Sequence, residues 1–218
     1  MVTAEKIPDD KVEEVPVQES GEDLVKIKSI CSKIIINNTH PASIVKEETQ
    51  YLRESVAKNL CEAQKELEKI KPGYKLMVSQ AFRSLDTQTR CYAHYYKEFR
   101  EENPNVNEKK LKEITDNFVA PPESTPPHTT GGAVDVTIMD EDNNQIDMGT
   151  DILASTEESS TLNENISEKA KENRELLIKI MEKAGFVNYS PEWWHWSYGD
   201  KYWALVKKKT SAIYDTVK

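Results

Sequence analysis

The sequence predicts an α+β domain in which helices flank a small, mainly antiparallel sheet. Apolar residues recur every three or four positions over residues 47–70, as they do on the buried face of a helix. Residues 133–139 alternate between apolar and polar side chains, which is typical of a strand. Because the helices come first and the strands are interleaved late, the order favours an α+β fold.

The remaining elements are bounded by recognisable helix and turn signals. Pro72-Gly73 ends the first long helix, Asp86 is a candidate N-cap for the second, and Gly185 can close a helix over residues 168–184 in a left-handed conformation. In chain order, the other predicted segments are a strand at 74–82, helices at 86–100 and 107–118, a loop with four prolines at 120–130, a polar connection at 141–166, and short strands at 186–189 and 193–198.

Negative charge is concentrated at the N-terminus. The chain has a net charge of −9, and residues 1–23 contribute −6 of it, with eight acidic side chains against Lys6 and Lys11. We interpret residues 1–23 as an acidic, disordered leader and residues 24–218 as one folded domain. Neither part offers the basic surface that neutralises phosphates, so nucleic acid is not an expected partner.

Hydropathy and cysteine usage indicate a cytoplasmic protein. The chain has no apolar run of about 18 residues, and its first thirty residues lack the basic start and apolar stretch of a secretory signal. A membrane is therefore not an expected partner. The three cysteines, Cys31, Cys61 and Cys91, are widely spaced and form no Cys-x-x-Cys pair, which is typical of reduced thiols.

Two of the four histidines lie in unusual surroundings, and His128 is the first. It stands in PPHTTGGAVD, seven residues before Asp135, which is expected on the exposed face of its strand. Gly131-Gly132 would let the chain fold back and bring the two side chains together. An imidazole and a carboxylate that converge are two ligands for a metal such as zinc. The alternative is a loop histidine and an unrelated acid on the strand.

The second segment is SPEWWHW, in which Glu192 precedes His195 by three residues. Ser190 and Pro191 could begin a helix that places both side chains on one face. A strand is favoured instead, with Glu192 on the turn before it, because large aromatic residues at every second position need a sheet face to bury them. These aromatic residues are Trp194, Trp196 and Tyr198. The alternative is a tryptophan-rich core strand with one incidental histidine.

A His/Asp/His set leaves one tetrahedral position of zinc for water, which is typical of catalytic sites. Zinc lowers the pKa of such a water towards about 7, and a carboxylate outside the ligand set can take its proton. Glu192 is placed for that role. Charge that develops on the attacked carbonyl oxygen needs a fixed donor, and Arg83, at the end of the strand at 74–82, is the candidate. The alternative for Arg83 is a helix-capping or surface arginine.

These segments resemble the VanX-type D-alanyl-D-alanine dipeptidases, zinc peptidases of the M15 group, over roughly residues 50–206. The resemblance is carried by the spacing of His128 and Asp135, by EWWH at 192–195, by SQAFRS at 79–84 and by DMGT at 147–150. It implies that His128, Asp135 and His195 bind Zn²⁺, that Glu192 is the general base and then acid, and that Arg83 steadies the tetrahedral intermediate. The implied fold is the one shared with D,D-carboxypeptidases and the hedgehog signalling domain.

The departures from the family pattern concern substrate contacts. Pro126 stands two residues before the first histidine, where the family usually has a serine. The acid that would hold the free amino end of a dipeptide is displaced to Asp151. Residues 24–45 contain no Tyr or Phe, whereas the family brings a tyrosine there. These differences affect substrate anchoring and leave the metal chemistry intact.

The sequence therefore predicts zinc-dependent hydrolysis of a D-Ala-D-Ala-type bond, with the free dipeptide as the first expected substrate. A D,D-carboxypeptidase or another peptidoglycan-peptide hydrolase that acts on longer peptides is the alternative. A metal-stabilised peptide-binding module is a third alternative, which Glu192 disfavours because a binder needs no base. The expected partner is a small peptide, and the oligomeric state cannot be read from the sequence.

Overall fold

A five-stranded sheet organises the computed structural model, which describes residues 2, 6–37, 47–154 and 156–217. Neighbouring strands of this sheet are antiparallel except at one edge, where the second strand of the chain runs parallel to the fourth. The strands are β1 (Leu24–Lys26), β2 (Ile35–Ile36), β3 (Tyr51–Arg53), β4 (Lys75–Gln80), β5 (Ala133–Met139), β6 (Val187–Asn188) and β7 (His195–Ser197). The main sheet has the order β2-β4-β5-β7-β6, and β1 pairs with β3 separately. The predicted α+β class is confirmed.

Helices pack against this sheet and against one another. They are α1 (Asp9–Glu13), α2 (Ile27–Ile30), α3 (Glu54–Ile70), α4 (Leu85–Glu102), α5 (Glu108–Phe118), α6 (Glu168–Lys183) and α7 (Lys201–Val206). The long helix α3 packs against β4 and α6, and its fully buried Leu60 and Leu67 belong to the main core. Helices α4 and α5 form a hairpin held by aromatic contacts, with the rings of Tyr95 and Phe118 4.6 Å apart. Within the described residues, no helix is both long and apolar enough to cross a membrane.

The helix predicted over 47–70 is shorter than expected. Residues 48–50 form a 3-10 turn, 51–53 form β3, and α3 begins only at Glu54. Hydrogen bonds from other segments hold β3 extended: the amide of Phe82 donates to the carbonyl of Tyr51 at 3.0 Å, and the amide of Arg53 donates to that of Gly131 at 3.0 Å. Long-range pairing therefore overrides the local helical pattern.

The second helix also begins earlier than predicted. Ser84 is its N-cap and accepts a hydrogen bond from the amide of Thr87 at 3.2 Å, whereas Asp86 lies in the first turn and pairs with Arg90. Most other predicted boundaries are close to the observed ones. Gly185 has a φ of +92° after α6, as predicted, and both short C-terminal strands are present. The three cysteines are buried free thiols.

The predicted disordered leader is wrong for the part of residues 1–23 that the structure describes. Residues 6–20, which we call the strap, contain α1 and run along the C-terminal part of the chain, where Val17 and Ala212 form a parallel bridge. Four apolar side chains of the strap pack against a cluster around Tyr202 and Trp203: Ile7, Val12, Val15 and Val17. This apolar burial offsets the conformational entropy that residues 6–20 lose on folding. The acidic side chains alone would not offset that loss.

Candidate metal centre

A short 3-10 turn over Pro127–Thr130 carries His128 to the beginning of β5. Gly131 ends the turn with a φ of +71°, and a Cβ there would lie 2.6 Å from a methyl carbon of Leu24, so the position requires glycine. The chain folds back as predicted and brings Nε2 of His128 to 3.4 Å from Oδ2 of Asp135.

His195 reaches the same carboxylate from the neighbouring strand. Asp135 of β5 and His195 of β7 are directly opposite in the antiparallel register, and Nδ1 of His195 lies 2.9 Å from Oδ1 of Asp135. The strand is therefore the correct one of the two geometries that the sequence left open. Asp135, however, is only 3% exposed, in contrast to the expectation that it faces solvent. The imidazoles of His128 and His195 lie against the carboxylate on that side of β5.

The hydrogen bonding of His128 prepares the site for a cation. Its Nδ1–H donates to the carbonyl oxygen of Ala81 at 2.8 Å, since a carbonyl can only accept, and Nε2 is left with a lone pair on the side of Asp135. One donor atom from each of His128, Asp135 and His195 lies within 4.8 Å of the other two. Two imidazoles and a carboxylate converging in this way fit the three protein ligands of a catalytic zinc.

The electrostatics of Asp135 and His128 agree with the ligand roles that the sequence predicts for them. Burial alone would raise the pKa of Asp135, but the two neighbouring imidazoles outweigh it and hold the pKa well below its usual range. Burial lowers the pKa of His128, which favours the neutral imidazole that binds metals. Burial alone would lower the pKa of His195. The hydrogen bond to Asp135 and the charge of Asp135 outweigh burial and raise that pKa overall.

Glu192 lies on the turn before β7 and outside the set of converging donors. The amide of Glu192 donates to the carbonyl of Tyr189 at 2.9 Å, and the amide of His195 donates back to the carbonyl of Glu192 at 3.2 Å, which fixes the turn. Burial raises the pKa of the Glu192 carboxyl to about 7, against the opposing charge of His195. A partly buried carboxyl with this pKa can both accept and return a proton near neutral pH.

Arg83 follows β4 and is attached directly to the histidine turn. Its amide donates to the carbonyl of His128 at 3.1 Å, and its guanidinium donates to the side-chain oxygens of Gln80 and, at 3.1 Å, of Gln88. It forms no ion pair with a carboxylate among the residues described in the structure. The fixed, unneutralised positive charge is suited to a developing negative charge.

Asp151 is not brought into this cluster. It is exposed, and its carboxylate makes no hydrogen bond or ion pair within the described ranges. Its neighbour Thr150 accepts a hydrogen bond from the indole N–H of Trp193 at 2.9 Å, which connects the loop to the turn of Glu192.

Sequence reasoning also missed the residues that orient the site. The Ala81 carbonyl and the amide side chains of Gln80 and Gln88 belong to this group, as does Tyr189, whose ring packs edge-on against His195. Gln80 and Ala81 lie within the SQAFRS segment, which was a signal for them, but no pattern pointed to Gln88 or Tyr189.

Comparison with known proteins agrees with this geometry. Residues 32–214 match the M15 peptidase family model, described as D-Ala-D-Ala dipeptidase. The D-alanyl-D-alanine dipeptidase of Synechocystis sp. is 31% identical over 217 residues, covering 87% of each chain. The chain belongs to the M15 peptidase family. It is accordingly a metallopeptidase, as the sequence predicted.

More distant relatives match part of the chain or its outline. The D-alanyl-D-alanine dipeptidase of Escherichia coli is 41% identical over 68 residues, which cover 31% of this chain and 35% of that protein. The solved LdcB LD-carboxypeptidase is 23% identical and covers 87% of this chain and 73% of its own, with a TM-score of 0.47. The likeness to the hedgehog domain stays a prediction.

Proposed function

We propose that this M15 peptidase is a zinc-dependent hydrolase of D-Ala-D-Ala, with His128, Asp135 and His195 as the metal ligands. The observation that carries the proposal is the convergence of their donor atoms within 4.8 Å, with Nε2 of His128 left free by the Ala81 hydrogen bond. The dipeptidase name of the Synechocystis relative supports the choice of substrate. The absence of thiolate clusters from the sequence supports zinc bound by nitrogen and oxygen.

When bound, zinc would polarise the scissile carbonyl and make water a stronger nucleophile at neutral pH. Glu192 then removes a proton from the attacking water and delivers it to the leaving amine. A pKa of about 7 suits both steps, because the carboxylate is basic enough to take the proton and acidic enough to release it. General acid–base catalysis of this kind typically contributes about 10²–10⁴-fold to the rate.

Arg83 stabilises the negative charge that develops on the carbonyl oxygen. Gln80 and Gln88 fix the guanidinium before the substrate arrives, so little reorganisation is needed during the reaction. The hydrogen bond from the Arg83 amide to the His128 carbonyl fixes the position of Arg83 relative to this proposed metal ligand. Positive charge at this position would also disfavour protonation of His128 and keep it a ligand.

A D,D-carboxypeptidase acting on longer peptides is the second candidate. Asp151 is exposed and makes no contact with the metal cluster, and Pro126 offers no hydroxyl. A weak anchor for the free amine discriminates poorly against blocked amines, because discrimination arises when buried polar groups are left unpaired.

We infer a cytoplasmic location from the sequence. Short peptides released from the cell wall would be the substrates there.

The test is to measure zinc content together with turnover of D-Ala-D-Ala and of its N-acetylated form. We expect one zinc per chain, cleavage of the free dipeptide, and measurable cleavage of the acetylated one. A ratio of kcat/KM above roughly 10⁴ in favour of the free form would show a complete amine pocket and remove the second candidate. Zinc-loaded protein that cleaves neither peptide would contradict the proposal.

A further inference from the structure

The loop between β6 and β7, residues 189–194, carries Glu192 and leads directly into His195. The amide of Tyr189 donates to the carbonyl of His195 at 3.1 Å, and the amide of His195 donates to that of Glu192 at 3.2 Å. The carbonyl oxygens of Glu192 and His195 therefore each accept one hydrogen bond from the backbone. This short loop sets the position of the proposed base relative to a proposed metal ligand.

Asn188, the last residue of β6, adds a second hydrogen bond to both carbonyls. Its side-chain Nδ2 lies 3.1 Å from the carbonyl oxygen of Glu192 and 3.1 Å from that of His195. An amide nitrogen has two hydrogens, so one is available for each carbonyl. The residue is 0% exposed. A single buried side chain thus connects the two functional residues across the loop.

Thr161 fixes the orientation of the Asn188 amide. Its hydroxyl donates to Oδ1 of Asn188 at 2.6 Å, and its backbone amide donates to the carbonyl of Ser190 at 2.9 Å. Because carbonyl oxygens only accept hydrogen bonds, an amide turned the other way would place Oδ1 against two other acceptors. The amide of Asn188 therefore has one favourable orientation.

The segment of residues 159–161 runs beside the loop and holds Thr161 in place. The carbonyl of Ser159 accepts a hydrogen bond from the amide of Trp193 at 3.0 Å, and the carbonyl of Ser160 accepts one from the guanidinium of Arg174 at 2.6 Å. Ser159 and Thr161 are each 3% exposed. The donor that orients Asn188 therefore belongs to a buried and hydrogen-bonded segment.

The need to satisfy buried carbonyls does not account for Asn188. Without its side chain, the carbonyls of Glu192 and His195 would each keep a backbone donor. Burial of an amide is itself unfavourable unless its hydrogen bonds are made. What the two bonds add is a restraint between Glu192 and His195, and catalytic groups need such restraints because small displacements lower the rate strongly.

We propose that Asn188 is a positioning residue that, together with Thr161, fixes Glu192 relative to the proposed metal ligand His195. The inference rests on the proposed function, since Glu192 and His195 are the base and a ligand of that reaction. Asn188 acts through the backbone of the loop and takes no part in bond cleavage. Residues that orient a metal ligand in this way typically contribute about 10–100-fold to activity or metal affinity.

The first experiment compares the hydrolysis of D-Ala-D-Ala by wild-type protein, Asn188→Ala and Asn188→Asp. Both variants should lose about 10–100-fold in kcat with KM nearly unchanged, because the base is displaced and the substrate contacts are retained. Asn188→Asp keeps the size of the side chain and the acceptor for Thr161, but a carboxylate cannot donate to the two carbonyls. A wild-type kcat in both variants would overturn the proposal.

Gln64→Ala is the matched control. The side chain of Gln64 is also buried and also bonds two backbone groups, the carbonyl of Tyr74 at 3.0 Å and the amide of Leu76 at 2.6 Å. These groups lie at the start of β4, whereas the site is at its end. Gln64→Ala should therefore lower stability and keep kcat. An equal loss of kcat in Gln64→Ala and Asn188→Ala would make the effect a general loss of stability and overturn the positioning role.

Thr161 provides a second pair of variants, which also serves if Asn188→Ala does not fold. Thr161→Val keeps the shape but loses the hydroxyl, so kcat should fall, and Thr161→Ser keeps the hydroxyl and should restore most of it. In the Asn188→Ala background, Thr161→Val should have little further effect, because both changes act on one hydrogen-bonded unit. Independent, additive effects would contradict that unit.

Hydrogen exchange distinguishes a failure of this inference from a failure of the proposed function. The backbone amides of Glu192 and His195 should exchange at least about tenfold faster in Asn188→Ala than in wild type or Gln64→Ala. If the wild-type protein cleaves no D-Ala-D-Ala, the proposed function fails, but this comparison still tests the restraint. Unchanged exchange at these two amides, or faster exchange with a normal kcat, would overturn the role of Asn188.

Discussion

Two buried polar clusters in this molecule have opposite charge balance. Arg174 of α6, 1% exposed, donates to the carbonyl oxygens of Met148, Glu158 and Ser160 at 2.6–2.8 Å, so a buried cation is fully surrounded by acceptors. At the metal centre, two imidazoles converge on the Asp135 carboxylate, and no Lys or Arg side chain among the described residues forms an ion pair with it. The first cluster is complete and connects a loop to a helix, whereas the second has the composition of a site for a cation.

The replacement with the largest expected effect is Glu192→Gln. Zinc content and fold should be retained, because Glu192 is outside the ligand set, while turnover should fall towards the upper end of about 10²–10⁴-fold. Steady-state kinetics and metal analysis of the same preparation check this, with the exposed Glu175→Gln as control. A nearly normal rate in Glu192→Gln would assign the base to another group.

Arg83 should follow with a somewhat smaller effect. Arg83→Ala should reduce kcat by about 10²–10³-fold, the cost of removing one oxyanion donor. Arg83→Lys keeps the charge but loses the planar fork that Gln80 and Gln88 hold, so it should restore only part of the rate. The exposed Arg90→Lys is the matched control. Equal activity of Arg83→Ala and wild type would leave the carbonyl oxygen to other donors.

Replacement of Arg174 should lower the stability of the protein. Arg174→Met leaves several buried carbonyls without donors and should lower the free energy of unfolding by about 3–5 kcal/mol, measured by urea denaturation. The exposed Lys169→Met on the same helix should be nearly neutral. If removing zinc destabilises the protein and Arg174→Met does not, the distinction between a complete and an incomplete cluster is wrong.

Asp151 should have the smallest effect. An exposed carboxylate in water contributes about 0–1 kcal/mol to an ion pair, so Asp151→Asn should change kcat/KM for the free dipeptide less than about tenfold. A loss of more than a hundredfold would instead identify Asp151 as the amine anchor, with the loop of Thr150 moving onto the substrate.

The sequence was sufficient to predict that His128, Asp135 and His195 converge, because their spacing reflects local structure. The two glycines after His128 require a turn, and the alternating tryptophans around His195 require a strand, so both segments could be interpreted without knowing the fold. The supporting contacts depend on tertiary structure instead. The SQAFRS segment contains Ala81 but does not indicate that its carbonyl holds His128, and nothing near Gln88 indicates that it holds Arg83.

The structure of the strap also depends on tertiary contacts that the sequence does not indicate. Its acidic residues predict disorder from composition, yet Val12 and Val17 are partly buried because the end of the chain supplies their apolar partners. Glu13 pairs with Lys201, nearly the full length of the chain away. Contacts of this kind leave no local pattern, so a composition argument cannot find them.

Zinc stoichiometry across the histidines tests the central claim most directly. Purified wild-type protein should contain one zinc per chain by elemental mass spectrometry, and His195→Ala and His128→Ala should contain almost none. His94→Ala is the matched control, because His94 is an exposed residue of α4 and should leave zinc content unchanged. Full zinc occupancy in His195→Ala would contradict the metal centre proposed for this protein.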